Sequence, residues 1–335
     1  MEYLLHYNFI NTIFWCIQKS KFYLFSILMK TFLFKILLFI ILLFIIFETS
    51  LRVLNITNDV PRRKIDSKGL QTFKNGQSGL YNKNKWVVND YGFLGSMPVP
   101  KSKKKILVIG DSMIESIMNS NLCHLDAILN NKFKNELNFF EIGRSGMTLI
   151  ESLEFSIKFH PIIGADYSVI YVNKTDVEES ISNIKRYKDR LQINVENGKL
   201  EKVNIRYEKM KYILYNVKSL YYLYVRGFFP QKKLFENPKF SKNTEDYLNL
   251  NKKNDDLIDD FFLVLKSKYD LKKIIFLIDT NHEIDLDRFK KLNSNLITFS
   301  SDSSWFNNVD NHWNCNGNEQ ISSIIYNFFI SKEYN

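Results

Sequence analysis

Cysteine is scarce: Cys16, Cys123 and Cys315 are the only three in 335 residues. They are odd in number and far apart, so they spell neither a disulfide framework nor a metal-binding spacing, and no compartment follows from them. Histidine is also scarce, at five residues. Neither a G-x-G-x-x-G nor a P-loop lysine pattern occurs, which argues against a nucleotide site. The net charge of +10 comes from scattered lysines. Without an arginine-rich stripe or a nucleic-acid motif, nucleic acid is not expected as a partner. A basic surface near anionic lipid or an anionic polymer fits equally well.

Long apolar runs are present, and the first lies near the amino terminus. Ile36 to Phe47 is unbroken, flanked by Thr31-Phe32-Leu33-Phe34-Lys35 and Glu48-Thr49-Ser50-Leu51-Arg52. The unbroken part alone is signal-peptide length, but no small-x-small cleavage pattern follows it. Taken over residues 31–50, it reaches the roughly twenty residues needed to cross a bilayer. An uncleaved single-pass anchor is the reading adopted. Met29-Lys30 would make a natural start, so residues 1–30 read as an extension or a poorer hydrophobic segment. Lysines and arginines on both sides leave the orientation open.

Residues 51–104 read as a linker and irregular lead-in, with Trp86, Tyr91 and Phe93 available to dock on a domain. From Lys105 strands and helices alternate. Strands are expected at Ile106–Ile109, Asn138–Ile142, Tyr167–Val172 and Ile274–Ile278, with a weak one at Leu296–Phe299. Helices are expected over Met113–Leu129, from Thr148 to about Phe159, over about Thr244–Lys268 and over Gly317–Phe329. Residues 186–255 interrupt the rhythm as an insertion with one helix near Tyr207–Val225. Its tyrosine stripe packs on the domain or forms an acceptor-binding wall. This alternation over 105–335 implies a parallel sheet covered on both faces, with ligands beyond the carboxyl ends of its strands.

Gly110–Ser112, Gly143–Gly146 and Asn173–Asp176 then meet at one edge. Ser112 stands between a buried strand and a helix, its N–H among the free donors of the helix N-terminus, where an oxyanion is favoured. The alternative reading is a capping serine. A serine nucleophile needs a base and a group to orient it. His6 precedes the anchor, His124 falls within an expected helix, and His160 is followed by a proline. Of the other two, His282 reads as a solvated loop residue. His312 carries Asp310 two residues earlier, on a loop opening the final helix, and is the preferred base.

Gly110-Asp111-Ser112 after an apolar strand, with Asp310-Asn311-His312-Trp313-Asn314 near the end, resembles the SGNH (GDSL-type) hydrolase superfamily. The resemblance covers residues 51–335 apart from the insertion. The anchor with Glu48, Leu51 and Arg52, and the lead-in Val88-Asn89-Asp90-Tyr91-Gly92-Phe93, are similar to a membrane-anchored bacterial branch. Leu94 stands where that branch usually has arginine. The resemblance implies a three-layer α/β/α fold with a mostly parallel, about five-stranded flavodoxin-like sheet, preceded by the transmembrane helix. It implies Ser112 as nucleophile, His312 as base and Asp310 as its orienter, with no cofactor and no metal.

The oxyanion would be held by the N–H groups of Ser112 and Gly146 and by a third-block asparagine. That asparagine aligns with Thr175 here, so Thr175 or Asn173 would have to serve. The implied activity is hydrolysis of an ester on envelope glycan or lipid by an extracytoplasmic domain. Acyl transfer to a polysaccharide hydroxyl is a close variant. A catalytically idle, membrane-tethered binding or assembly protein is the alternative of another class.

Overall fold

The computed structural model describes residues 2–96, 104–133, 136–205, 207–228, 244–281, 284–292, 295–308 and 311–332. Among these the α-helices are, in chain order, α1 (Glu2–Val53), α2 (Ser112–Glu115), α3 (Leu125–Phe133), α4 (Leu149–Ile163) and α5 (Lys174–Ser180). After them come α6 (Glu208–Asn216), α7 (Lys218–Val225), α8 (Thr244–Lys268), α9 (Leu286–Lys290) and α10 (Cys315–Ser331). The main sheet comprises β1 (Lys104–Gly110), β2 (Leu137–Gly143), β3 (Tyr167–Val172), β4 (Ile274–Asp279) and β5 (Asn295–Phe299). The chain divides into an anchor unit, Met1–Thr57 with Asn216–Phe229, and a sheet unit, Asn58–Tyr215 with Pro230–Asn335.

In the sheet unit the strands run in the order β2-β1-β3-β4-β5, every pairing parallel. This is the flavodoxin-like doubly wound order, in which the chain reverses direction across the sheet between β1 and β3. The apolar runs are continuous because each strand is covered on both sides. Leu107, Ile109, Ile170, Phe276 and Ile278 pack with Phe155 and Phe159 of α4 and Phe261 and Leu265 of α8. Their alternates Ile106, Val108, Val169, Ile275 and Leu277 pack with Leu125 and Leu129 of α3 and Ile321, Ile325 and Phe329 of α10. Three layers, helix–sheet–helix, follow from that alternation.

Local signals set the helix ends. Thr148 caps α4 by accepting from the Glu151 N–H at 3.2 Å, and Gly164 closes it in the left-handed region. The helix runs one turn beyond the expected end at Phe159, through Pro161. The single helix expected over Met113–Leu129 does not form. The chain leaves α2 after Glu115 through Ser116, whose φ is +51°, passes a 3-10 turn at Asn121–Cys123, and restarts as α3. A Cβ on Gly143 would lie 2.3 Å from the Glu115 nitrogen, so the end of α2 sits hard against β2.

The lead-in holds two antiparallel hairpins, Arg63–Ile65 with Gln71–Phe73 and Ser78–Tyr81 with Asn84–Val87. Phe93 is buried against Phe155 and Phe159, and Trp86 is also buried. The insertion carries a short hairpin, Ile193–Asn194 with Lys199–Leu200. Its expected single helix is split into α6 and α7 at Val217.

In the anchor unit, α1 is one continuous helix over Glu2–Val53, with no break between the expected extension and the expected anchor. Its stretch Leu28–Val53 has a mean hydropathy of 2.6 and is long and apolar enough to cross a membrane.

Candidate active site

Ser112 is the first helical residue of α2, directly beyond the carboxyl end of β1. Asp111 is the N-cap: its Oδ1 accepts from the Met113 N–H at 2.9 Å. Its other oxygen, Oδ2, accepts from Asn173 Nδ2 at 3.2 Å. Burial pushes the Asp111 carboxyl up, while the Met113 N–H and the charge of His312 pull it down. Asp111 thus ties the serine turn to β3 and lies within electrostatic reach of His312. The sequence reading gave it no part.

The second loop is held from below by buried groups. The Glu115 carboxylate accepts from the Ser145 N–H at 2.8 Å and from the Ser145 hydroxyl. Arg144 is fully buried and bonds Glu151, which also accepts from the Gln71 N–H at 3.1 Å. The guanidinium groups of Arg144 and Arg63 each donate to the Ser145 carbonyl at 2.9 Å. Next comes Gly146 at φ +71°, a conformation that favours glycine, 3.6 Å from the Arg190 guanidinium as measured from an added Cβ. The turn proposed as an oxyanion donor is therefore built on a largely buried ionic base that sequence reading did not find.

The third loop separates the two donor candidates. Asn173 caps α5, its Oδ1 accepting from the Asp176 N–H at 3.0 Å and its Nδ2 aimed at Asp111. The Thr175 hydroxyl donates to Asn173 Oδ1 at 2.5 Å and is otherwise exposed. Thr175 is thus spent on Asn173, and the amide facing the serine turn is that of Asn173. Burial and the neighbouring Asp111 push the Asp176 carboxyl well up.

His312 follows β5 on the loop that opens α10, and is half-buried. Its neighbour Trp313 is buried edge-on against Tyr171 of β3, with ring centroids 4.8 Å apart. This loop is bound to the segment just after Ser112. Asn119 Nδ2 donates to the Trp313 carbonyl at 2.8 Å, and Asn318 Nδ2 donates to Ser116 Oγ at 2.8 Å. A disulfide joins Cys123 to Cys315, 192 residues apart. The absence of a disulfide expected from cysteine spacing is thereby corrected: the fold brings together two cysteines that spacing alone could not pair. Asp310 and His282 lie outside the described residues. His124 precedes α3, where it pairs with Glu141 at 3.1 Å in the interior. His160 bonds Ser168 at 2.8 Å.

Removing the disulfide is expected to cost about 2–5 kcal/mol. Cys315→Ser should therefore lower the thermal midpoint measurably, and dithiothreitol should lower the parent's midpoint without affecting the variant. An unchanged midpoint in Cys315→Ser would show that the asparagine bonds alone hold the loop.

No family model matches the chain, and no curated protein matches its sequence. Solved structures similar in fold include the psychrotrophic esterase EstA from Pseudoalteromonas sp., at 12% identity and TM-score 0.36, covering 70% of this chain and 100% of that one. A lipase/acylhydrolase from Enterococcus faecalis is similar at 13% identity and TM-score 0.34, covering 68% of this chain and 96% of that one. At such values the likeness carries no argument of its own. The α/β class rests on the strand order and register observed here.

Proposed function

We propose that this chain is a membrane-anchored serine ester hydrolase of SGNH type, acting on an ester of envelope glycan or lipid. The observation that carries the reading is the binding of the His312 loop to the segment following Ser112, through Asn119, Asn318 and the Cys123–Cys315 bond. Ser112 Oγ attacks the ester carbonyl carbon while His312 takes its proton, with Asp310 as the orienting carboxylate. The resulting oxyanion is held by the N–H groups of Ser112 and Gly146 and by the Asn173 amide. Collapse of the tetrahedral intermediate breaks the bond to the alcohol oxygen, which leaves with the proton from His312. Water, deprotonated in turn by His312, releases the acid and restores the serine. These residues need no metal or organic cofactor for that cycle.

The disulfide supports an extracytoplasmic domain, since such bonds persist in oxidising compartments. The apolar stretch Leu28–Val53 supports anchoring at the membrane.

The test is a fluorophosphonate probe on the full-length protein, with the adduct located by mass spectrometry. Attachment at Ser112 is the expected result. Failure to capture any serine would favour the idle binding or assembly role. Asn173→Ala is expected to reduce turnover of a short p-nitrophenyl ester on the order of a hundredfold or more, and Thr175→Ala only slightly. The reverse ranking would return the third donor to Thr175.

A further inference from the structure

In the anchor unit α7 is fastened to the carboxyl end of α1. The Glu48 carboxylate accepts from the backbone N–H groups of Lys218 at 3.0 Å and Ser219 at 2.7 Å, the free donors at the start of α7. Phe47 meets Tyr222 edge-to-face with ring centroids 5.9 Å apart, and Arg52 donates to the Asn216 carbonyl at 2.5 Å. Lys218, Ser219 and Tyr222 mark the face of α7 turned to α1.

Half-buried Tyr221 and Tyr224 and exposed Val225 stand at i, i+3 and i+4 on α7, and Phe228 follows three residues past its end. Val225 is 57% exposed and Phe228 73%. The end of the helix is fixed to present Phe228. Gly227, at φ +78°, donates to the Tyr224 carbonyl at 3.1 Å, and the Phe228 N–H donates to the Leu223 carbonyl at 3.0 Å. Val53, Leu54 and Ile56, at the exit of α1, are 71%, 65% and 50% exposed.

The length of the apolar stretch gives the depth. Leu28–Val53 holds 26 residues, and at about 1.5 Å each it is about 39 Å long, against a hydrocarbon core of about 30 Å. The surplus puts Phe47 and Glu48 near the hydrocarbon boundary and Arg52 among the head groups. Whatever is bonded to Glu48 lies at that level. Exposed Val225 and Phe228, with half-buried Tyr221 and Tyr224 and exposed Arg226 beside them, suit that boundary.

We propose that α7 is an interfacial helix: its exposed Val225–Phe228 end lies in the boundary between head groups and acyl chains of the bilayer that α1 spans. The proposal rests on α1 crossing a membrane and is independent of the ester chemistry.

The test uses the full chain in vesicles of phosphatidylcholine and phosphatidylglycerol, in a Cys16→Ser background. Nitroxide labels are placed through Val225→Cys, Phe228→Cys, Ile40→Cys and Glu196→Cys, each in its own protein. Accessibility to oxygen and to a water-soluble nickel chelate is measured by power saturation. The expected result is a severalfold higher oxygen-to-nickel ratio at 225 and 228 than at exposed Glu196, with Ile40 higher still. Positions 225 and 228 matching 196, with 40 buried in lipid, would overturn the interfacial helix and leave the anchor standing. Position 40 matching 196 would overturn the anchor and the proposal together. Phe228→Asp read through the label at 225 adds a check, since a charge at 228 is expected to lower the ratio there.

Discussion

Ester turnover in Ser112→Ala is expected to fall on the order of ten-thousandfold or more, and fluorophosphonate labelling to vanish, because in the proposed cycle the hydroxyl is the group that attacks. His312→Ala should fall about as far, since nucleophile and base act as one unit and losing either loses both contributions. The double variant should then be little slower than either single one. His282→Ala should stay close to the parent. The measurements are initial rates with a short p-nitrophenyl ester and gel fluorescence with the probe, on full-length protein of matched thermal midpoint. Full labelling of His312→Ala with loss in His282→Ala would transfer the base to His282. Activity surviving in Ser112→Ala would remove the nucleophile from this reading altogether.

Glu151→Gln is expected to destabilise the sheet unit by about 3–5 kcal/mol. Arg144 and Glu151 are both fully buried, bonded to each other beneath the Gly143–Gly146 turn. Burial pushes the Glu151 carboxyl up, and Arg144 offsets only part of that rise. Glutamine keeps the shape and can still accept from Gln71, but it leaves the guanidinium charge in the interior without its bonded counter-charge. Because Arg144 also bonds the Ser145 carbonyl, probe labelling should slow together with the loss of stability. Urea unfolding checks the magnitude, with exposed Glu196→Gln expected to stay within about 0.5 kcal/mol of the parent. Replacing both partners, Arg144→Met with Glu151→Leu, should recover most of the stability, since apolar groups of similar volume carry no desolvation cost. A loss below about 1 kcal/mol in Glu151→Gln would show that the charge pair does not support the turn.

Much of the frame was legible in the sequence. The aliphatic runs at Ile106–Ile109, Tyr167–Val172 and Ile274–Ile278 could only be satisfied by burial on both faces, and the structure encloses each of them. The scarcity of histidine narrowed the base to two loop candidates. Reading failed where a local pattern was overruled by what packs against it. The apolar spacing from Met113 to Leu129 supports one helix, yet the chain leaves α2 through a left-handed Ser116, where Glu115 lies hard against Gly143. The tyrosine-rich insertion gives no local sign that part of it bonds to α1, because Glu48 and Lys218 are 170 residues apart.

Sequence alone determined the five strands of the main sheet but not the hairpins of the lead-in and insertion, which stretch is apolar enough for a bilayer, and where a serine and a histidine stand relative to strand ends. Those properties are local, set by side-chain periodicity and by turn residues within a few positions. Tertiary structure alone decided that Cys123 meets Cys315, that Asn119 and Asn318 bind the His312 loop to the serine segment, and that Asn173 rather than Thr175 faces Asp111. Most of these contacts join groups nearly two hundred residues apart, or depend on which way an amide turns once β1 and β3 lie side by side. No periodicity encodes such pairings; they exist only after the sheet has closed.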